Sequence, residues 1–416
     1  MHLAINGFFL DKPTTGTGQY TRQLLRGIAE GWPHRLSVLL PPGCDVSLLP
    51  PRSEHVTYHV LQNPFGGALA TASRPRRQDK PFDGALATAS RPRRQDKPFG
   101  GNLGKVWFEQ ITVPRAAAKL GADILHVPYL GSPLRCSLPM VVTVHDLLQL
   151  TVPQLRGGPL VRLYNLLAAA CARRAAAILA DSEYTRETVL AHLRVPPQRV
   201  RRVYLAADSR YTPEGGPEER DRIQRRYGLD GQFLLYIGGL DWRKNVSTLV
   251  RSYARAGCSL PLAIAGEARS ARDSGFPDLE REAERSGVLE QVKFLGWVAE
   301  EDKPALYRMA QLFTFPSKYE GFGLTPLEAL ACGTPVLCSS ATSLPEVVGD
   351  AALLFDPDDA EGLAQLIRQA TTDAALRETL HCKALQQARR FDWHTTAEQT
   401  VDTYQRVLHR KDISVG

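Results

Sequence analysis

The sequence predicts an α/β protein of two doubly wound, Rossmann-like domains facing each other, and three observations carry that prediction. Short apolar runs alternate with helical segments through the first half, and the same alternation restarts after residue 217. The 416 residues are enough for two or three domains at about 150 residues each. Charge is unevenly divided: 27 basic against 14 acidic side chains in 1–212, a net of +13, and 24 against 30 in 213–416, a net of −6.

The elements follow in order. Strands are expected at Leu3–Ile5, Leu36–Leu40, Val56–Val60, Ile124–Val127, Met140–Val144, Ala176–Ala180 and Val200–Tyr204. Helices are expected at Gly18–Glu30, Leu103–Leu120, Pro159–Arg174 and Thr185–Leu193. Such alternation implies a parallel sheet covered by helices on both faces. Asp208–Pro217 is rich in turn residues and reads as the linker. The second series has strands at Phe233–Ile237, Leu262–Ala265, Val292–Leu295, Leu312–Phe315, Pro335–Cys338 and Ala352–Phe355. Its helices fall at Val246–Arg255, Asp278–Ser286, Ala305–Ala310, Pro326–Ala331 and Glu361–Thr372. Sheets of this kind place ligands at the carboxyl ends of their strands.

One region departs from the pattern. GALATASRPRRQDKPF at 67–82 recurs identically at 84–99. Two copies are too few for a solenoid. Neither copy has the large apolar residues needed to bury surface, so a mobile basic loop of about forty residues, 63–102, is expected. A neutral duplication tolerated at the surface is the favoured account of it. Residues 67–99 hold eight basic and three acidic side chains, hence +5 of the overall +7. The net charge is therefore weak evidence for a nucleic-acid partner.

Composition narrows the class further. With 43% hydrophobic and 23% charged residues the chain matches average soluble proteins, which argues against a membrane or disordered protein. The seven cysteines lack Cys-x-x-Cys spacing and read as thiols in a reducing compartment. The longest apolar stretch, Leu166–Ala180, is interrupted by Arg173 and Arg174 and is too short to span a bilayer. A cytoplasmic protein is expected, peripheral on the membrane face at most.

Three constellations carry chemistry. In FPSKYEGFGLTPLEALACGTPV, Glu320 follows a strand, Gly321 and Gly323 open a turn, and a helix begins near Pro326. Such a turn lets backbone N–H groups approach an anion, with the positive end of the helix dipole behind them. Glu320 and Glu328 bracket the turn, each placed to accept from sugar hydroxyls. Thr325-Pro326-Leu327-Glu328 also reads as a capping box, with Thr325 as N-cap, which alone would explain Glu328. In YIGGLDWRKN, Arg243 and Lys244 follow Gly238 and Gly239 at a strand end, where cations suit a diphosphate. In VVTVHDL, His145 and Asp146 stand at the carboxyl end of an apolar strand. His126 in ILHVPY occupies a comparable position, and sequence physics does not rank the two. Gly16-Thr17-Gly18 before the first helix is a weaker signal that turn chemistry also explains. Asp356-Pro357-Asp358 has the spacing of a metal-binding pair, but turn and cap roles suffice, and no metal is expected.

Together these segments resemble glycosyltransferase family 4, retaining enzymes of the two-domain GT-B fold, over nearly the whole chain outside the duplication. Glu320–Val336 carries the family's Glu-x7-Glu motif; ADILHVP, ADSEYT and FDWHTTAEQTVDTYQRVL add to the match. The resemblance implies an N-terminal acceptor domain over 1–210 and a C-terminal nucleotide-sugar donor domain over 211–392. It also implies a helix over 393–416 that packs back on the N-terminal domain. By it, Lys244 and Arg243 hold the donor diphosphate and Glu328 binds the ribose. Glu320 contacts the donor sugar, Gly321, Phe322, Gly323 and Leu324 line it, and Val298 flanks the base. Gly16 and Gly18 join the donor site, and His145, Glu320 and Lys244 act in catalysis. Many members have Arg where Gly239 stands, which puts more of the diphosphate charge on Arg243 and Lys244.

The implied reaction moves a hexose, with mannose favoured, from a nucleotide diphosphate sugar, with GDP-mannose favoured. The acceptor is a hydroxyl of a glycan or lipid-linked molecule, and the configuration is retained without a metal or other cofactor. An anionic membrane surface is an expected partner of the basic N-terminal domain; nucleic acid is not. A nucleotide-sugar epimerase or phosphorylase of the same architecture is the alternative, followed by a protein binding nucleic acid through the basic loop. Against the last, the arginine runs carry no interleaved aromatics.

Overall fold

The computed structural model describes residues 1–31, 34–49, 54–62, 101–267 and 275–415, with side chains omitted for 101–102 and 410–415. The duplicated repeats, and with them most of the loop expected over 63–102, lie outside the described residues. Two compact units result.

The first unit runs to Tyr204 and includes Trp393–Val415. Its strands are β1 (His2–Asn6), β2 (Arg35–Leu40), β3 (Val56–Val60), β4 (Ile124–Val127), β5 (Met140–Val144), β6 (Ala177–Ala180) and β7 (Val200–Arg202). They form a parallel sheet in the order β3-β2-β1-β4-β5-β6-β7, with Leu3 opposite both Leu36 and Ile124. β1, β4, β5 and β6 are buried along their whole length. That burial explains why they read as continuous apolar runs rather than alternating ones.

The second unit, Leu205–Asp392, holds β8 (Leu234–Ile237), β9 (Leu262–Ala265), β10 (Val292–Gly296), β11 (Leu312–Phe315), β12 (Val336–Ser339) and β13 (Ala352–Phe355). Their order is β10-β9-β8-β11-β12-β13, again parallel. The unit begins at Leu205 rather than 211, and Ala207 and Tyr211 already pack on its core, Tyr211 edge-on to Tyr307. Helices Glu218–Tyr227 and Ala374–Ala388 were not read from the sequence. The first carries a single buried residue, Ile223, so it lacks the apolar stripe by which helices are recognised.

Both sheets reverse direction of growth once, between β1 and β4 and between β8 and β11. At such switch points the loops leaving two adjacent strands diverge and open a crevice.

The Trp393–Val415 helix lies against the Gly16–Gly31 helix in the first unit. Thr396 donates to the Tyr204 carbonyl at 2.7 Å, and Arg201 pairs with Asp402 at 2.5 Å. Tyr404 is fully buried, with its hydroxyl 2.7 Å from His126 Nδ1, while His126 Nε2 meets Thr143 Oγ1 at 2.9 Å. Burial pushes the His126 imidazolium down to a pKa of about 3, so the ring is a neutral core residue. Tyr404→Phe is expected to leave its Nδ1 without a partner and to cost about 1–3 kcal/mol in urea unfolding. An unchanged unfolding free energy would show that this bond does not hold the helix in place.

Candidate active site

A polar cluster of the second unit stands at its switch point. β8 ends in Gly238-Gly239, and the Tyr236 hydroxyl pins the turn by donating to the Gly239 carbonyl at 2.6 Å. Asp241 then caps a single turn, Trp242–Lys244, by accepting from the Arg243 N–H, and it also takes the Arg243 Nε at 3.1 Å. Asn245 follows with φ 58°, a left-handed conformation Asn tolerates better than most residues. Its amide donates to the carbonyls of Pro316 and Pro357, tying the loop after β8 to those after β11 and β13.

Those ties bring Lys244 to Glu320. Nζ lies 2.6 Å from Oε1, each side chain is 13% exposed, and the Phe315 ring lies 5.3 Å from Nζ. An exposed ion pair is worth about 0–1 kcal/mol, but removing one partner from a buried pair costs about 3–5 kcal/mol. This pair is therefore a fixed feature of the fold. Arg243 is held next to it by Asp241, with Nη1 3.4 Å from the Tyr319 carbonyl.

The turn carrying Glu320 is clamped from below. The Glu320 N–H donates to Thr342 Oγ1 at 3.0 Å, and Ser343 Oγ donates to the carbonyls of Glu320 and Phe322. Phe322 is buried against Phe391. Gly323 has φ +127°, which a side chain would strain. Gly321 and Leu324 are half-buried beside them. Gly239 follows β8 with Asp241 and Lys244 as its neighbours.

One expectation needs correction here. The helix spans Leu324–Ala331 with Gly323 as N-cap, so Thr325 is not the cap and the capping box is not formed. Glu328 lies inside that helix instead, buried, with Oε2 accepting from Tyr307 at 3.0 Å. Desolvation pushes its carboxyl up to about 7 against the opposing charge of Lys303, with Glu300 adding to the rise. Val298 is also buried, in the core of the second unit. Asp356 Oδ1 accepts from the Asp358 N–H, and Asp358 pairs with Lys318, so this segment works as a turn.

In the first unit, His145 follows β5. Nδ1 lies 2.5 Å from Asp181 Oδ2 and Nε2 lies 3.0 Å from the Pro128 carbonyl. Burial alone would lower its pKa, but the Asp181 charge and hydrogen bond outweigh that and hold it above the ordinary histidine value. Acceptors at both nitrogens favour the protonated form of the ring. Tyr20 packs edge-on at 4.9 Å. Gly16 and Gly18 lie in the first turn of the Gly16–Gly31 helix, where Gly18 donates to Thr15 Oγ1 at 3.1 Å. A side chain at Gly18 would collide with the Lys12 carbonyl, whereas Gly16 faces open space. The two histidines are thus distinguished: His126 is a neutral core residue, and His145 is paired with Asp181 at the strand end.

Asp181, Asp241, Thr342 and Ser343 were missed as site residues. Asp181 had a signal, since it ends β6 directly beside β5. The others have none, being recognisable only by what they touch.

A family model described as "Glycosyl transferases group 1" matches residues 218–387, and one described as "Glycosyltransferase Family 4" matches residues 14–210. The chain is 36% identical over 269 residues to O-antigen chain mannosyltransferase B of Escherichia coli, covering 64% of this chain and 69% of that protein. It is 30% identical over 320 residues to the serotype-specific mannosyltransferase WbdA of Escherichia coli, covering 72% of this chain but 39% of WbdA. Among solved structures, sucrose-phosphate synthase from Thermosynechococcus elongatus superposes with a TM-score of 0.72 at 22% identity, over 99% of this chain and 100% of that one. That likeness is one of fold.

Two measurements test the electrostatics. Because the folded pKa of Glu328 is raised, its penalty is absent below the unfolded value and grows as pH rises. Glu328→Gln should thus gain stability over wild type between about pH 5 and pH 8, approaching 3 kcal/mol. A pH-independent difference would sink the assignment. For His145, Asp181→Asn should cost about 3 kcal/mol or more at neutral pH and move the NMR titration of the ring to lower pH. A titration that stays in place would mean that Asp181 does not hold the charge.

Proposed function

The chain belongs to the group 1 glycosyltransferases and is a sugar-transferring enzyme, and from that premise we propose that it moves mannose from GDP-mannose to a hydroxyl of a glycan or lipid-linked acceptor, with retention of configuration. The observation that carries this reading is the Lys244–Glu320 pair, 2.6 Å apart beside Arg243 and the Gly321–Gly323 turn. A cation and a carboxylate side by side suit the two ends of a nucleotide diphosphate sugar. Likeness to the O-antigen mannosyltransferase of Escherichia coli supports mannose as the transferred hexose.

The roles follow from the chemistry of each group. An ammonium has three donors; Glu320 occupies one in Lys244, and the others suit phosphate oxygens. Charge builds on the departing diphosphate as the sugar becomes oxocarbenium-like. Lys244 and Arg243, already oriented by Glu320 and Asp241, stabilise that charge without reorganising, in place of a metal ion. Glu320 accepts from the donor sugar's hydroxyls, and Glu328 accepts from the ribose with its rotamer fixed by Tyr307. His145, with acceptors at both ring nitrogens, is the first unit's contribution to catalysis in this reading. The acceptor hydroxyl attacks on the face the diphosphate leaves, and a phosphate oxygen takes its proton.

A thermal-shift screen of GDP, UDP and ADP sugars tests the donor. GDP-mannose should raise the melting temperature most, since a ligand at one hundred times its Kd stabilises by about 2.7 kcal/mol. A larger shift with a UDP or ADP sugar would reassign the nucleotide. Lys244→Ala should lower turnover per folded molecule by about a hundredfold or more, the scale for losing one preorganised charge stabiliser. Near wild-type turnover would remove Lys244 from the diphosphate.

A further inference from the structure

A second charged site lies in the first unit, away from the carboxyl ends of its strands. An open cavity of about 840 Å³ borders the start of β5, with Arg115, Arg135, Arg173, Arg174 and Arg199 among its lining residues and no carboxylate. Among the described residues, none of these five arginines forms an ion pair with an acidic side chain. Such a cluster stays self-repelling until an anion enters it.

Arg173 and Arg174 directly follow the Pro159–Ala172 helix, and that helix has an unusual surface. Leu160 is 78% exposed, Leu163 65% and Leu166 63%. Exposed leucines normally occur singly, whereas these three wind along one stretch of helix. Leu166 and Arg173 are seven residues apart, about two turns, which puts them on the same side. From Leu147 to Ala180 the sequence contains Arg156, Arg162, Arg173 and Arg174 and not one Asp or Glu. Among the described residues, no helix is long and apolar enough to cross a membrane.

We infer that this helix and the five-arginine cavity form one docking surface for an anionic phospholipid bilayer, with the leucines entering the interface and the arginines holding lipid phosphates. The choice of occupant rests on charge. A helix that offers apolar side chains and only positive charge matches the boundary between acyl chains and anionic headgroups. A soluble protein partner supplies no such boundary. The surface does not depend on the transfer reaction, so each can fail without the other.

The test is co-sedimentation of the full chain with vesicles of phosphatidylcholine alone or mixed with phosphatidylglycerol. Wild type should bind the mixed vesicles, lose them as salt rises, and ignore phosphatidylcholine. Arg173→Gln with Arg174→Gln should weaken binding by about 20-fold, since each basic residue near an anionic surface contributes about fivefold. Leu160→Ser, Leu163→Ser and Leu166→Ser together should weaken it by about tenfold or more. All five side chains are exposed, so melting temperature and transfer to a soluble acceptor should stay at wild-type values. Equal binding to both vesicle types, or full binding by the leucine variant, would overturn the inference. So would a cavity that binds inorganic phosphate while the protein ignores vesicles, or a leucine-dependent dimer that forms in place of vesicle binding.

Discussion

The candidate site depends on one constraint, the adjacency of β8 and β11 in the second sheet. Because the strand order reverses there, the loops after these strands leave side by side. That adjacency brings Lys244 to Glu320 across 76 residues of sequence. Asn245 reinforces it by bonding to the Pro316 and Pro357 carbonyls. Asp241 and the Thr342–Ser343 clamp then fix each loop from its own side. The pair is largely shielded, so it is strong where exposed pairs are weak, and it holds both loops in register before any ligand arrives.

Burial assigns opposite roles to chemically identical groups. His126 and His145 end up near adjacent strands of one sheet, yet their proton affinities shift in opposite directions. His126 has hydroxyls at both nitrogens and no carboxylate to offset its desolvation, so the neutral ring prevails. His145 has Asp181 at one nitrogen and a carbonyl at the other, which raises its affinity for the proton. The two glutamates of the Glu-x7-Glu motif divide the same way. Glu320 has an ammonium partner, whereas burial raises the Glu328 carboxyl to about 7 despite the hydroxyl that Tyr307 donates to it.

Much of the site's location was legible. Glycines after apolar strands marked the two loops, and cations beside a carboxylate marked the chemistry. The errors lie where local rules compete. Thr325-Pro326-Leu327-Glu328 satisfies every requirement of a capping box, but the helix already begins at Leu324, with Gly323 at φ +127° as its N-cap. The early start leaves Glu328 on the buried face, against Tyr307. Likewise Tyr211 reads as part of a linker, and only its packing on Tyr307 shows that it belongs to a core.

The sequence by itself determined the two parallel-sheet units, most strand positions, the family, and which loops carry the chemistry. All of these follow from periodicity and turn residues, which act over a few positions. Tertiary structure decided the pairings: Lys244 with Glu320, His145 with Asp181, His126 with Tyr404, and five scattered arginines around one cavity. Those depend on strand order and on which face of a helix is buried. The positive charge of the N-terminal half was visible from the start; the fold decided that part of it converges on a single acid-free cavity.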